Sequence, residues 1–181
     1  MQINEAVAQI KFYLRDNDSE REIYGDEMIK WALQEAVNDI NLRFELFTNR
    51  ATTLMRQFVF EKQVLGITRI LAREAVRLVK FEFEAAAGEK VAWLDENFQL
   101  IRFNFDGEKE IIFCEPRVLK DELEVPQIFE FAVILKAITR LILREPNVEA
   151  LMARVAFFTK LYDGEREKIT ALISRTWKGE R

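Results

Sequence analysis

The 31 carboxylates and one thiol of this sequence are the side chains that come closest to catalytic or metal-binding chemistry. The thiol is Cys114, which lies in the apolar run 111–114. A cysteine in such a run is usually a small buried hydrophobe, so we predict neither a nucleophile nor a ligand there. The carboxylates are scattered over polar positions, with neither a close pair nor metal-ligand spacing, which is typical of a solvated surface. We therefore expect no catalytic residues, no metal and no cofactor.

Histidine is absent from the sequence. It is the commonest general base and a common zinc ligand, so Ser-His-Asp and Cys-His sites are excluded. The stretch 84–88 ends in a glycine but lacks the glycine pattern and the Lys-Ser/Thr pair of a phosphate loop. The sequence therefore predicts a protein that is not an enzyme.

The net charge argues against a protein that binds nucleic acid over its whole surface. The sequence has 27 basic and 31 acidic residues, which gives a net charge of -4. A local basic stripe remains possible near the end of the chain, where the bases are Lys160, Arg166, Lys168, Arg175, Lys178 and Arg181. Two kinds of non-enzymatic protein therefore stay open at this point. One is a nucleic-acid-binding regulator, and the other is an intracellular scaffold without catalysis.

Length and composition favour a single domain, since 181 residues with 49% apolar content can bury one sizeable core. The first residues lack a basic start leading into an apolar stretch, and no apolar run reaches the roughly 18 residues of a membrane span. We expect a soluble intracellular protein that does not bind membranes.

Hydrophobic spacing predicts two helices within residues 1–50. Residues 3–14 repeat apolar side chains at helical intervals, and the polar run 15–22 ends that pattern. Gly25 and Asp26 then introduce a second helix, whose apolar face continues for about six turns to Phe47.

The middle of the chain, residues 52–116, predicts an antiparallel strand-bearing arm. Alternation of apolar and polar residues marks strands at 79–83, 100–105 and 110–114, whereas short apolar runs within 52–70 fit strand or helix and favour strand. Asp106-Gly107 is typical of a hairpin turn between the last two of these strands, with Glu108 and Lys109 lengthening the loop. We expect this arm to contact a neighbouring subunit, because it holds more apolar side chains than a free hairpin buries. The candidate contact residues are Trp93, Phe98, Phe103 and Phe105.

Two closing helices are predicted within residues 123–181. Pro126 begins the first, Asn147 caps the second, and Asp163-Gly164 interrupts the second midway. The fold class is therefore mainly α with a β insertion (α+β), a bundle of about four helices with a strand-bearing arm. Its common core is predicted to contain Ile29, Leu33, Ile40, Phe129, Ala132, Leu135, Ile138, Leu151, Val155 and Phe158.

The order of these patterns resembles the head-to-tail connector proteins of tailed bacteriophages, also called adaptors or head-completion proteins. The run 23–36 is similar to their second helix, with its acidic cap and later alanine, and 70–81 is similar to the corner that leads into a strand, although Ala72 replaces a proline there. The strand 111–116 ending in proline and the helices 125–143 and 150–172 complete the resemblance over nearly the whole chain.

This resemblance implies a single adaptor-like domain, residues 1–181, that forms a homo-oligomeric ring, commonly twelve-fold, in the neck of the virion after synthesis in the host cytoplasm. The expected partners are the portal protein and a tail or further neck protein, with DNA passing through the ring without sequence-specific binding. The closing helix is the part that would dock on the portal. An apolar stripe beyond Gly164 agrees with that role and gives the docking candidates Ile169, Leu172, Ile173, Trp177 and Lys178.

Overall fold

The computed structural model describes residues 1–15, 23–79, 85–145 and 148–179, with the side chains of 148–150 and 176–179 outside that description. The chain is 46% helical and 22% strand, with four helices and two sheets in the described part, so the α+β prediction is confirmed. It divides into two compact units: unit 1 comprises residues 1–40 and 117–181, and unit 2 comprises residues 41–116. That these units form one domain stays a prediction.

The helices are α1 (Ile3–Leu14), α2 (Asp26–Phe44), α3 (Gln127–Ile142) and α4 (Val148–Gly179). At the start of α1 the Glu5 carboxylate accepts a hydrogen bond from the Gln2 backbone N–H at 3.2 Å, and at its end Arg15 adopts a left-handed conformation. None of the helices within the described residues has the length and apolar character needed to cross a membrane.

The core of unit 1 follows the apolar stripes of its helices. Nine of the ten predicted core residues are buried, and the tenth, Leu151, is half-buried. Helix α3 is apolar around much of its circumference and packs on both α1 and α4. The predicted central position of α3 in the helical core is therefore observed.

Two helix ends differ from the sequence expectation. Helix α2 ends at Phe44 rather than Phe47, because Glu45 is left-handed and the Asn41 side chain accepts a hydrogen bond from the Phe47 backbone N–H at 2.8 Å. Helix α4 is continuous through Gly164, so the predicted interruption there is wrong. A glycine in a helix interior costs about 1 kcal/mol. Burial of Tyr162 and Ile169 on either side outweighs that cost.

Unit 2 contains seven strands in its described residues: β1 (Thr48–Thr53), β2 (Gln57–Val59), β3 (Gly66–Ala72), β4 (Arg77–Val79), β5 (Val91–Leu94), β6 (Leu100–Phe103) and β7 (Lys109–Cys114). They form a three-stranded sheet in the order β1-β7-β3 and a four-stranded sheet in the order β2-β6-β5-β4. Strand β4 pairs with β5 in parallel, and the other pairs are antiparallel. The ambiguous apolar runs within residues 52–70 therefore contribute strands, although Phe60, Val64 and Leu65 lie in the connection between β2 and β3.

The predicted hairpin at Asp106-Gly107 is wrong. Strand β6 pairs with β2 and β5, whereas β7 pairs with β1 and β3, so this turn carries the chain from one sheet to the other. One hydrophobic cluster takes side chains from both sheets, including Phe60, Ile101 and Ile111. Unit 2 thus has a core of its own, although Val59, Leu71 and Leu78 of its strands remain exposed. The predicted strand at 79–83 falls largely outside the described residues, since only Val79 is described.

Candidate interaction surfaces

Exposed aromatic side chains from α1 and α3 lie side by side on unit 1. Phe12 is 68% exposed, and its ring centroid lies 5.8 Å from that of Tyr13, which in turn lies 6.3 Å from that of Phe131. Ile128 is also exposed and lies one helical turn before Phe131, on the same face of α3. We call these four side chains the aromatic patch. Contiguous apolar surface of this kind marks interaction sites more often than single exposed hydrophobes do.

Basic side chains surround the α1 end of the aromatic patch. Lys11 forms an ion pair with Asp26, with Nζ and Oδ1 2.6 Å apart, and Arg15 is exposed. Arg154 of α4 donates from Nη2 to the Leu14 backbone carbonyl at 3.2 Å, which places a third base at the end of α1. Asp26 thus balances Lys11, and residues 16–22, which directly follow Arg15, carry four carboxylates against one base, so this side has no net positive charge.

Helix α4 buries one face and exposes apolar side chains beside it. Val155, Phe158, Tyr162 and Ile169 are buried. With about 100° between successive residues of a helix, Phe157, Leu161 and Leu172 lie within roughly 60° of one another on the neighbouring face. All three are exposed, Phe157 by 57%. We call these three side chains the α4 stripe.

The predicted docking residues have different environments within α4. Ile169 is 1% exposed and belongs to the core, Ile173 is half-buried, and Leu172 is 50% exposed. Trp177 and Lys178 lie in the helix, but their side chains fall outside the described residues. From Thr170 to Arg175 no described side chain is buried. A partner can therefore reach this end of α4, although not through Ile169.

The predicted contact residues of the arm also separate into two kinds. Phe103 and Phe105 are buried in the core of unit 2, with ring centroids 5.7 Å apart. A partner would reach Phe103 only if the unit opened, and Phe105 only through the groove that it lines. Trp93 is half-buried, and Phe98 is exposed at the tip between β5 and β6. The accessible candidates of the arm are therefore Trp93 and Phe98.

The tip between β5 and β6 is organised by Asp95. Its Oδ1 accepts hydrogen bonds from the backbone N–H groups of Gln99 and Leu100, both at 2.8 Å. Backbone hydrogen bonds, that from Leu100 above all, lower the pKa of the Asp95 carboxyl below its usual value. The carboxylate thus fixes the turn on which Phe98 is presented.

Lys109 is the most unusual charged residue of unit 2, because the whole residue is buried. Its Nζ donates to the backbone carbonyls of Gly107, Met55 and Leu54 at 2.6, 3.1 and 3.4 Å, and it lies 5.1 Å from the centroids of the Phe103 and Phe105 rings. Desolvation lowers the pKa of the Lys109 ammonium. These contacts join the end of β1 to the crossover turn between the sheets.

A groove of about 690 Å³ opens in unit 2, with Leu71 and Phe105 as its larger apolar lining residues. Three of its four carboxylates are in ion pairs within unit 2: Glu74 with Lys90, Glu110 with Arg50, and Asp106 with Arg56. The Arg56 guanidinium, through its hydrogen bonds, lowers the pKa of the Asp106 carboxyl. Most of the negative charge around the groove is thus balanced inside the unit.

The described residues contain no group of three or more His, Cys, Asp or Glu side chains that could hold a metal ion. Cys114 is buried, as the sequence predicted, and its Sγ lies 3.9 Å from the Asn41 carbonyl oxygen. Burial raises the pKa of the Cys114 thiol, so the reactive thiolate form is disfavoured.

Comparison of the sequence with models of known protein families and with curated proteins gives no match.

Sequence reasoning missed two of these features. The aromatic patch joins Tyr13 to Phe131 across 118 positions, and the periodicity of a single helix cannot reveal such a pair. The sequence pattern places Lys109 in the loop that follows Asp106-Gly107, and a lysine usually remains in solvent. The signal that could have revealed it is its place in the alternation of β7, where Ile111 and Phe113 face the core.

Proposed function

We propose that this protein is a head-to-tail connector of a tailed bacteriophage, a structural protein that forms a ring between the portal and the tail and extends the DNA conduit. The observation that carries the proposal is the order of elements: a short helix, a longer second helix, a strand-rich unit and two closing helices. It is the order on which the resemblance to connector proteins rests.

The exposed apolar surfaces support a role in assembly. The aromatic patch and the α4 stripe together place seven exposed apolar side chains on three helices of unit 1. A ring subunit must contact its neighbours and the structures above and below it, so it needs several such surfaces at once.

The charge of the chain agrees with a conduit. A net charge of -4 does not favour tight, sequence-independent binding to phosphates, and such binding would slow the passage of DNA. In the proposed role DNA moves through the ring without sequence-specific contacts. The protein is made in the host cytoplasm and resides in the neck of the virion.

The end of α4 is the proposed portal-docking element. Leu172, Ile173 and Trp177 are its apolar residues, and the sequence adds the charge of Lys178. Leu172 lies in the segment that leaves its side chains unburied, so a partner can contact it without unfolding unit 1.

Co-sedimentation of the full chain with purified portal rings tests this proposal. We expect the wild-type chain to sediment with the rings, and Leu172→Asp and Trp177→Ala each to weaken binding at least about tenfold with an unchanged thermal melt. Met152→Ser, which changes another exposed apolar residue of α4, is the matched control and should bind normally. A wild-type chain that does not sediment with portal rings would contradict the proposed function.

A further inference from the structure

The chain contains two Asp-Gly pairs, and they lie in different backbone settings. Asp106-Gly107 lies in the exposed loop between β6 and β7, whereas Asp163-Gly164 lies inside helix α4. Asp-Gly is prone to isomerise to isoaspartate, because a glycine has no side chain that hinders the approach of its backbone nitrogen to the aspartyl Cγ. The two pairs therefore allow one position to be compared with the other in the same molecule.

Isomerisation at Asp106 would proceed through a cyclic imide. The Gly107 nitrogen forms a bond to Cγ of the protonated Asp106 carboxyl, and the carboxyl hydroxyl leaves as water with the proton of that nitrogen. Water then opens the imide. Cleavage of the new Cγ–N bond restores aspartate, whereas cleavage of the original C–N bond leaves isoaspartate, whose backbone runs through Cβ and Cγ. The product has the same composition as aspartate and one more atom in its main chain.

The loop between β6 and β7 provides the conditions for this reaction. Asp106 and Gly107 are both exposed, and the Gly107 N–H has no hydrogen-bond partner among the residues that the structure describes. Gly107 has a φ of 103°, so a bulkier residue that would hinder the attack is strained there. Gly164 differs, because the N–H of a residue inside a helix bonds to the carbonyl four residues earlier.

Arg56 engages both oxygens of the Asp106 carboxylate. Its Nε donates to Oδ1 at 2.8 Å and its Nη2 donates to Oδ2 at 2.6 Å. The Arg56 carbonyl in turn accepts from the Phe103 N–H at 2.8 Å, which fixes the backbone that carries the guanidinium. A bidentate pair of this kind is stronger and more directional than a single bond. Its hydrogen bonds also lower the pKa of the Asp106 carboxyl, so the reactive protonated form is scarce at neutral pH.

We propose that Asp106-Gly107 is a site of isoaspartate formation and that Arg56 restrains the reaction by holding the Asp106 carboxylate. This proposal does not depend on the connector function. The reaction would act on the buried lysine, because Lys109 Nζ donates to the Gly107 carbonyl at 2.6 Å. An extra main-chain atom at position 106 displaces that acceptor, and a buried ammonium that loses an acceptor destabilises the start of β7.

Ageing of the full chain at neutral pH tests the proposal. Trypsin cleaves after Arg102 and Lys109 and releases the peptide 103–109, whose aspartyl and isoaspartyl forms have equal mass but separate by chromatography. We expect Arg56→Gln to accumulate isoaspartate at position 106 at least about threefold faster than the wild-type chain, because a bidentate pair exceeds an ordinary exposed ion pair in strength. Arg56→Lys keeps the charge without the two-point contact and should give a smaller acceleration.

Two controls separate the Arg56 contact from a general loosening of the chain. Arg50→Gln breaks another exposed ion pair of unit 2, with Glu110, and should leave the rate at position 106 unchanged. Asp163 should remain aspartate in every variant, which the tryptic peptide 161–166 reports. Because the Arg56 side chain is 62% exposed, the thermal melts of its variants should stay close to that of the wild-type chain.

The possible outcomes each decide the proposal. Faster isomerisation at position 106 in Arg56→Gln alone supports both the site and the restraint. Equal rates in the wild-type and Arg56→Gln chains, or no isoaspartate at position 106 in that variant, would overturn the proposal. An equal acceleration by Arg50→Gln would overturn it as well, since loosening of the whole unit would then be the cause.

Discussion

The two units of the chain place their charges in different ways. In unit 1, Arg140 of α3 bonds to Asp39 of α2, with Glu35 3.6 Å away, and Lys136 lies 3.6 Å from the same Asp39. These side chains remain 28–40% exposed. In unit 2, by contrast, Lys109 is buried and donates to three backbone carbonyls rather than to a carboxylate.

The difference follows from how each architecture satisfies its backbone. Helices bond most of their own N–H and C=O groups, so the interior of unit 1 can be built from apolar side chains alone. In unit 2, tight turns join the strands of two small sheets. The backbone carbonyls of these turns are not bonded by the strand ladders, so they need other donors. Lys109 supplies donors there for Leu54, Met55 and Gly107. A packed helical unit therefore depends on side-chain volume, whereas the strand unit depends also on one buried cation.

The largest expected effect is the loss of core volume in unit 1. Leu135 is fully buried in α3, so Leu135→Ala should lower the free energy of unfolding by about 2–5 kcal/mol. Urea unfolding followed by circular dichroism measures it. Leu143→Ala, at an exposed leucine just past the end of the same helix, should change stability by less than about 0.5 kcal/mol. A loss below that value for Leu135→Ala would mean that α3 is not the centre of the core.

A smaller effect should follow removal of the buried cation. Lys109→Met keeps an unbranched side chain but leaves three carbonyls without their donor, so we expect a loss of about 1–3 kcal/mol confined to unit 2. Arg140→Met removes a charge of unit 1 that is partly solvated, and should cost less than about 1 kcal/mol. Hydrogen exchange of amides in β1 and β7 would locate the first effect. Equal losses for the two variants would remove the contrast between the units.

The smallest expected effect depends on pH and concerns Asp95. Its pKa is lowered in the folded chain, so its contribution is complete above the ordinary aspartate pKa of about 3.9 and is lost as the pH falls through the lowered value. Asp95→Asn should therefore cost about 1 kcal/mol at pH 7 and progressively less below pH 4. Urea unfolding at pH 7 and pH 3 gives the comparison. A difference that is constant with pH would show that the carboxylate charge is not what holds the tip.

Much of unit 1 could be predicted from the sequence because its information is local. An apolar residue every three or four positions fixes which face of α3 is buried, and burial of Phe129, Leu135 and Ile138 follows from that spacing. The end of α2 was missed by three residues because it depends on one side chain, Asn41, folding back to the Phe47 N–H.

The strand pairing of unit 2 could not be predicted in the same way. Alternation located β6 and β7, but a turn signal such as Asp106-Gly107 does not determine which strands pair. Strand β7 pairs with β1, some 60 positions earlier, and that choice is made by packing between the sheets. Of the interaction surfaces, Phe98 was identified as a candidate from its sequence alone, whereas its left-handed backbone conformation became visible only in the fold.

Asn41 also has a consequence for how unit 2 is built into the chain. Its buried side chain accepts from the Phe47 N–H and donates to the Glu115 carbonyl at 3.4 Å, while its own carbonyl lies beside the Cys114 thiol. The first residue of the unit is thus bonded to the residues just before its last, Pro116. Domains that are inserted into another domain usually have adjacent first and last residues, because the host chain is then interrupted at a single point. Unit 2 has this geometry. A short turn in place of residues 41–116 would therefore join two ends that already lie together, and α2 would then end at Ile40.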